Sequence, residues 1–333
     1  MKTPGMFQRW VSCIAALFCL LSALAVSTPA WTQPATVRMG YNKFWPTFPL
    51  HVGIAEKDFE KRGLKVEWVN FTTPNQILQA MVAGELDMGV LTGTNLATAY
   101  QQNIKVKAIA MMTGPSEPPV TYFVRKDLGI KSVRELKGRT IGVNGYGGNF
   151  DLFLRRHLVD NGLDPKTDVR IVEILTTQII PALLSKQIDA GVVDGIFAAT
   201  ALKHYANDMV PLFTYRDVAP FRNGWNGFVL AVNDSYLAKN RKTAVEFVRA
   251  CLDAVQFIHQ NPQQGIKLYV EATGNKNALN MEKADDVPPD ARILIPELQS
   301  EMDLMFQFGY SKTKANAGQM VDHSLLDEAA RIK

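Results

Sequence analysis

The sequence predicts an α/β fold of two lobes, each built on a parallel or mixed sheet and facing the other across a cleft. Three observations predict it. Short apolar, strand-like runs alternate with amphipathic, helix-like runs along most of the chain. The pattern occurs twice. Met39-Gly40-Tyr41-Asn42 is matched by Ile141-Gly142-Val143-Asn144, Gly63-Leu64 by Gly162-Leu163, and Leu86-Asp87-Met88-Gly89-Val90 by Ile188-Asp189-Ala190-Gly191-Val192. The near-constant offset is that of a repeated supersecondary block. Thirdly, the chain is long enough for two cores.

The N-terminus reads as an export signal. Lys2 and Arg9 supply a basic start, Val11 to Val26 is almost wholly apolar, and Ala23-Leu24-Ala25 or Thr28-Pro29-Ala30 offers a small-residue cleavage site. Residues 1–30 are therefore expected to be removed, leaving a protein of the periplasm. Cys13 and Cys19 go with the signal, and neither has the small residues of a lipoprotein signal before it. Cys251 alone remains, which excludes an intramolecular disulfide; it falls on an apolar helical face with Val245, Val248, Leu252 and Val255 and reads as core. Loss of Lys2 and Arg9 leaves 34 basic and 32 acidic residues, a balance of +2. Near-neutrality without a basic block argues against a nucleic-acid partner.

In the first block, Val37–Tyr41 reads as a strand, followed by a polar and aromatic loop, Asn42 to Pro49. Thr47 is expected to cap a helix running to Lys61 and stopped by Gly63. Leu64–Val69 is a strand, Thr73-Pro74 opens a helix closed by Gly84, and Leu86–Leu91 is a strand leading through Thr92-Gly93-Thr94-Asn95 into another helix. Val106–Met111 and Val120–Val124 are extended. Ser132 and Glu135 have the spacing of a capping box. The second block then gives a strand (Thr140–Val143), a glycine-rich turn, a helix from Phe150 to Asn161, a strand (Val169–Ile174), a helix (Thr177–Lys186), a strand (Ile188–Val193), a helix from Asp194 and a strand (Val210–Phe213). Beyond the strand Gly227–Val232 come helices at Asp234–Lys239, Thr243–Gln260, Pro262–Val270 and Pro296–Phe308. These are expected to return to the first lobe, giving lobe I as 36–122 with 228–333 and lobe II as 123–227.

Ligands of open α/β sheets lie beyond the carboxyl ends of strands. That selects four loops: Asn42–Phe48 and Thr92–Asn95 in one lobe, Asn144–Phe150 and Asp194–Phe197 in the other. In the glycine turn, Gly145, Gly147 and Gly148 permit a sharp bend and close approach of backbone to a guest, and the following helix start favours an anion. A side chain at Gly147 is expected to block that approach while leaving the protein folded. The turn matches neither a P-loop nor Gly-x-Gly-x-x-Gly.

Gly40-Tyr41, Phe59-Glu60-Lys61-Arg62-Gly63-Leu64-Lys65-Val66, Gly84-Glu85-Leu86-Asp87-Met88-Gly89-Val90 and Gly93-Thr94-Asn95, in that order, resemble the solute-binding components of ABC importers. The resemblance is to the nitrate/sulfonate/taurine-binding family, which includes binders of thiamine pyrimidine precursors. Ile130 to Val143 is similar to that family's middle signature. The resemblance implies a type II periplasmic binding protein: two lobes, a two-strand hinge, closure on a small solute, and an ABC permease with its ATPase as partner, the binding protein being a monomer without cofactor or metal. Two departures concern the ligand. Tyr146-Gly147-Gly148-Asn149 stands where sulfonate binders carry Gly-Ser, and Asp189 to Phe197 lacks the Trp-x-Pro many relatives have.

The candidate ligand-binding residues are Asn42, Lys43, Phe44, Trp45, Thr92, Gly93, Thr94, Asn95, Tyr146, Gly147, Gly148, Asn149, Phe150, Asp194 and Trp225. Asn42, Thr92, Thr94, Asn95 and Asn149 offer uncharged hydrogen bonds, Gly147 and Gly148 backbone N–H, and Lys43 a countercharge, a set suited to an oxyanion or carboxylate. Phe44, Trp45, Tyr146, Phe150, Phe197 and Trp225 offer stacking surface. Asp194, if it faced the cleft, would repel an anion and favour an amine or ring N–H; capping its own helix is the plainer role. A small organic anion, sulfonate or carboxylate, is the expected solute, with a thiamine or pyrimidine precursor as the alternative. A sensing role for a signalling partner uses the same fold. A pyrimidine-synthesis enzyme of this fold is disfavoured, since the mature chain has one cysteine and its histidines lack metal-ligand or Ser-His-Asp spacing.

Overall fold

A pair of glycines and an aspartate, used twice, shows how the repeat folds. In the computed structural model, which describes residues 35–284 and 287–332, the first block forms β1 (Ala35–Tyr41), α1 (Phe48–Ala55), α2 (Asp58–Lys61), β2 (Leu64–Asn70), α3 (Pro74–Val82), β3 (Met88–Leu91), α4 (Gly93–Gln101) and β4 (Val106–Thr113). The second forms β5 (Thr121–Arg125), β6 (Thr140–Val143), α5 (Asn149–Asp160), β7 (Arg170–Glu173), α6 (Thr176–Leu184), β8 (Ala190–Val193), α7 (Gly195–His204) and β9 (Met209–Thr214). Gly40 pairs with Gly89 across β1 and β3, and Gly142 with Gly191 across β6 and β8. Cβ atoms at these sites would meet Ile77 of α3 in the first block, and Ile179 of α6 in the second, at 2.9 Å or less. The bare backbone thus lets one helix sit close on each sheet. Asp87 accepts from the Arg38 amide at 2.8 Å, and Asp189 from the Thr140 amide at 3.0 Å, fixing β3 and β8 in the same register beside their neighbours. The expected signal segment lies outside the described residues.

Each sheet has five strands, in the orders β2-β1-β3-β10-β4 and β7-β6-β8-β5-β9. Three strands in each are parallel. Antiparallel strands complete the sheets: β5 runs antiparallel to β8 and β9, and β10 (Phe228–Asn233), from beyond the second block, runs antiparallel to β3 and β4. The chain therefore crosses between the sheets twice, after β4 and after β9, as a two-strand hinge. Because Thr121 and Tyr122 already pair with Val193 and Val192, the first crossing ends before 121 rather than at 122.

Several boundaries differ from the sequence reading for local reasons. The helix expected to run to Lys61 breaks after α1, where Lys57 takes a left-handed conformation at φ 60°. Thr47 turns its hydroxyl to the carbonyls of Asn42 and Phe44 instead of capping α1. Ser132 bonds Glu135 directly and only a 3₁₀ turn, Val133–Leu136, forms there. The two helices expected at Asp234–Lys239 and Thr243–Gln260 do form, joined across a kink at Asn240 where the backbone leaves helical geometry, and are labelled together α8 (Asp234–Gln260). Thr73 opens α3 as expected, and it does so through a reciprocal capping box with Gln76.

After α8 come α9 (Pro262–Thr273), α10 (Ile295–Gln307), α11 (Ala317–Met320) and α12 (Ser324–Arg331). Val245, Val248 and Cys251 of α8 pack with Val37, Met39 and Met88 under the first sheet, so Cys251 is core. α10 packs against α4 of the first block and also against α5 of the second. Its flanks are tied down: Asn226 exchanges two hydrogen bonds with Leu294, Ser311 and Lys312 bond Gln101, and Tyr310 bonds Asp151. Among the described residues no helix is long and apolar enough to cross a membrane.

Candidate functional site

The parallel strands β1, β3, β6 and β8 end at Tyr41, Leu91, Val143 and Val193, so the four selected loops all leave the carboxyl edges of the sheets. The halves touch there. Trp45 and Phe48 from the first block share a buried cluster with Ile196 and Ala199 of α7. Asn280 donates to Thr200 at 3.0 Å.

After β1, Asn42 is buried and organises its loop. Its Oδ1 accepts from the Phe44 amide, and its carbonyl accepts from Thr47 and meets His51 Nε2 at 3.3 Å. Burial pushes the His51 imidazole down to about 4, so it is neutral. Trp45 stacks on Phe48 at 4.4 Å and meets the edge of Tyr269 from α9 at 5.1 Å. The Tyr269 hydroxyl donates to the Lys43 carbonyl. The side chains of Lys43 and Phe44 stand in solvent at the rim.

After β3, Thr92 and Asn95 close a reciprocal capping box on α4, and Asn95 donates to Asn75 at 2.5 Å. Thr94 shares its hydroxyl with Thr92 at 2.9 Å. These side chains serve the loop itself. Gly93 faces α10: an added Cβ would overlap Glu301 Oε2 and lie 2.8 Å from Leu298 Cδ1.

After β6, Gly147 adopts φ +70° and its bare Cα rests on the Tyr310 ring, 2.9 Å from where a Cβ would be. Its amide donates to Asp151, which also accepts from Tyr310 at 2.6 Å and pairs with Arg155 at 2.8 Å. Gly148 occupies the cap position of α5, and Asn149 and Phe150 begin that helix, both buried. Phe150 lies 6.1 Å from Trp225, whose ring also meets the edge of Phe153 at 5.4 Å. Tyr146 is half-exposed and bonds the Ile171 carbonyl on β7, on the outside of the turn.

After β8, Asp194 takes the cap position of α7 with extended backbone; its carboxyl feels the Phe197 amide of the first turn, but the geometry falls short of a capping hydrogen bond, so the plainer role expected for it is met in position only. The residue is partly exposed, yet its Oδ1 is wholly shielded. Burial pushes the carboxyl up to about 6, opposed in part by the Phe197 amide. Its charge reaches Tyr269, so Asp194 looks across to the first block.

Eight buried side-chain polar atoms among the described residues have no hydrogen-bond partner. Six of them belong to Asn42, Asn149, Asp194, Trp225 and Glu301, one residue from the first block, two from the second, one from the crossing segment before β10 and one from α10. Leaving a polar atom unpaired in the interior costs about 1–3 kcal/mol, so such atoms are rare outside functional sites. The charged members are both acids. Glu301 is fully buried, and burial drives its carboxyl well above the ordinary range, toward the neutral acid. Lys43, the cation expected from the sequence, is exposed, and Arg155 is committed to Asp151.

The sequence reading missed Glu301, Tyr310 and Tyr269. One signal was present for Glu301: it stands between Leu298 and Met305 on the apolar stripe of its helix, where a charged residue is out of place.

A family model described as NMT1/THI5 like matches residues 49–265. Among curated relatives, the riboflavin-binding protein RibY of Chloroflexus aurantiacus is 24% identical over 84% of this chain and 77% of its own. The 4-amino-5-hydroxymethyl-2-methylpyrimidine phosphate synthase of Aspergillus parasiticus is 26% identical over 67% of this chain and 66% of its own. Among solved structures, the periplasmic aliphatic sulphonate binding protein SsuA of Escherichia coli superposes with a TM-score of 0.74, 20% identity and coverage of 87% and 92%. The α/β architecture of two mixed sheets is thus that of periplasmic binding proteins.

Proposed function

The chain belongs to the NMT1/THI5-like family, and from that footing we propose that it is an extracytoplasmic solute-binding protein. It captures one small molecule between its two halves and delivers it to an ABC permease and its ATPase. The halves are taken as 36–120 with 228–333, and 121–227. One observation carries the reading: five residues, contributed by both halves and the segments joining them, hold shielded polar atoms that have no partner within the protein. A rigid core would pair them; a recognition site keeps them for a guest.

Two solute classes were expected from the sequence, and the charges favour the second. A desolvated organic anion needs donors or a cation, whereas the ionisable groups among these five residues are two acids, Asp194 and Glu301. Asn149 Oδ1 is a further acceptor, while Asn42 Nδ2 and Trp225 Nε1 are donors. This mixture suits an uncharged, flat heteroaromatic with ring or exocyclic N–H groups, such as a pyrimidine precursor. Trp45, Phe48, Phe150 and Trp225 supply faces and edges for it. The riboflavin named for one relative is a molecule of that kind. Catalysis is the weaker reading, because Cys251 is in the core under the first sheet and His51 is held neutral by burial.

Thermal shift with 4-amino-5-hydroxymethyl-2-methylpyrimidine, riboflavin and methanesulfonate tests this. A heteroaromatic at about 100 times its Kd stabilises by about 2.7 kcal/mol. A response to methanesulfonate alone would restore the organic anion as the solute.

A further inference from the structure

Among the described residues Glu301 is fully buried, both its carboxyl oxygens lack partners, and no ion pair to it forms. It projects from α10, the helix that packs on both α4 and α5. Its neighbours Leu298 and Met302 are buried and apolar. The carboxyl is aimed at the N-terminus of α4: Oε2 fills the space that a Cβ on Gly93 would need. That helix has nine residues, and its Thr92–Asn95 capping box leaves the first-turn amides of Gly93 and Thr94 without intrahelical acceptors. A helix start with free amides is a natural seat for an oxyanion. Here the chain's own carboxyl stands at that seat, and a glycine at 93 makes room for it.

We propose that Glu301 is a solute-selecting residue: its carboxyl holds the α4 N-terminus against oxyanions, so the cleft takes uncharged or hydrogen-bond-donating solutes. The inference rests on the cleft being a solute site. An incoming sulfonate or carboxylate would have to displace a carboxyl already standing at the α4 N-terminus, in a desolvated space where bringing in a negative charge is costly. A solute carrying an N–H group meets an acceptor instead. Glu301→Gln replaces the acid by an amide whose N–H groups can donate to an oxyanion, and Glu301→Ala empties the space beside Gly93, so both make the end of the cleft a better anion seat.

The test is titration of wild type, Glu301→Gln and Glu301→Ala with methanesulfonate and, separately, with 4-amino-5-hydroxymethyl-2-methylpyrimidine, read by thermal shift and calorimetry. Methanesulfonate is expected to bind Glu301→Gln at least tenfold more tightly than wild type, with Glu301→Ala also gaining. The pyrimidine is expected to lose affinity for both variants. Glu301→Gln keeps the side-chain volume, and it removes a buried carboxyl, so its unfolding temperature is expected to equal or exceed that of wild type. Equal or weaker methanesulfonate binding by the variants overturns the role of Glu301. If wild type still binds the pyrimidine in that case, the cleft reading survives; if no protein binds either probe, both fall.

Discussion

Replacing Asp194 by Asn should make the protein more stable and a poorer binder. The carboxyl caps α7 by position, but its Oδ1 is sealed from water without a hydrogen-bond partner. Burial raises it from 3.8 to about 6. At about 1.4 kcal/mol per tenfold, that displacement corresponds to about 3 kcal/mol held against folding when the group is ionised. The sign follows from proton binding. Below about pH 4 the carboxyl is protonated in folded and unfolded chains alike. Between about 4 and 6 the folded state keeps a proton that the unfolded state has released, so stability falls as pH rises through that window. Above about 6 both forms are ionised and the full penalty remains. Asparagine has no proton to lose and is an equally good N-cap residue. Asp194→Asn should therefore gain up to about 3 kcal/mol at pH 7, and the gain should vanish below about pH 4. With about 2.1 cal/mol/K per residue over roughly 300 residues, this is a rise of about 5 °C in Tm. Calorimetric unfolding of both proteins at pH 4, 5, 6 and 7, without added solute, measures it. Loss of a charged acceptor should meanwhile weaken a heteroaromatic N–H donor by about 10- to 100-fold. A variant less stable at pH 7, or a gap that does not narrow toward pH 4, would refute the reasoning and show that the α7 N-terminus stabilises the carboxylate.

Gly147→Val is expected to destabilise the fold as well as impair binding, a change from the expectation drawn from the sequence. The left-handed backbone costs a β-branched residue about 1–2 kcal/mol, and the side chain would displace Tyr310 and its bond to Asp151, worth about 1 kcal/mol more; chemical denaturation should show a loss of about 2–3 kcal/mol. Trp225→Phe retains the contacts to Phe150 and Phe153 while deleting Nε1–H, so solute affinity should drop with Tm little changed, whereas Trp225→Ala should cost about 3–5 kcal/mol. Equal solute affinity for wild type and Trp225→Phe, by calorimetry, would assign the tryptophan to packing alone.

The architecture was legible because its determinants are local and doubled. Gly40 with Gly89, and Gly142 with Gly191, mark where a helix lies close on a sheet, while Asp87 and Asp189 mark the strand that follows. Loop positions then follow from strand direction. What escaped was set by contacts distant in sequence. Thr92 and Asn95 look like ligand donors in isolation, but their hydrogen bonds are consumed by each other and by Asn75. Gly147 looks like room for a guest, but Tyr310 fills that room. Asp194 looks like an N-cap, and its side chain makes no capping bond. Glu301 and Tyr310 lie on and just beyond α10, far along the chain from the four loops, and only the return of that helix between α4 and α5 brings them in. In the proposed function the solute class depends on these late residues, whereas the early loops alone favoured an anion.

The central claim is that one small solute is held by the buried polar groups shared between the two halves. Native mass spectrometry of wild type and Asn149→Leu, purified without unfolding and then supplied with the three probe solutes, tests it most directly. Asn149 Oδ1 has no partner within the protein, so its loss should leave the fold intact. Wild type is predicted to carry one small-molecule adduct per chain, co-purified or taken from the heteroaromatic probes, and Asn149→Leu to lose it while keeping a folded charge-state distribution. The same adduct at the same occupancy in both proteins, or no adduct in wild type under any of the three, would contradict the account.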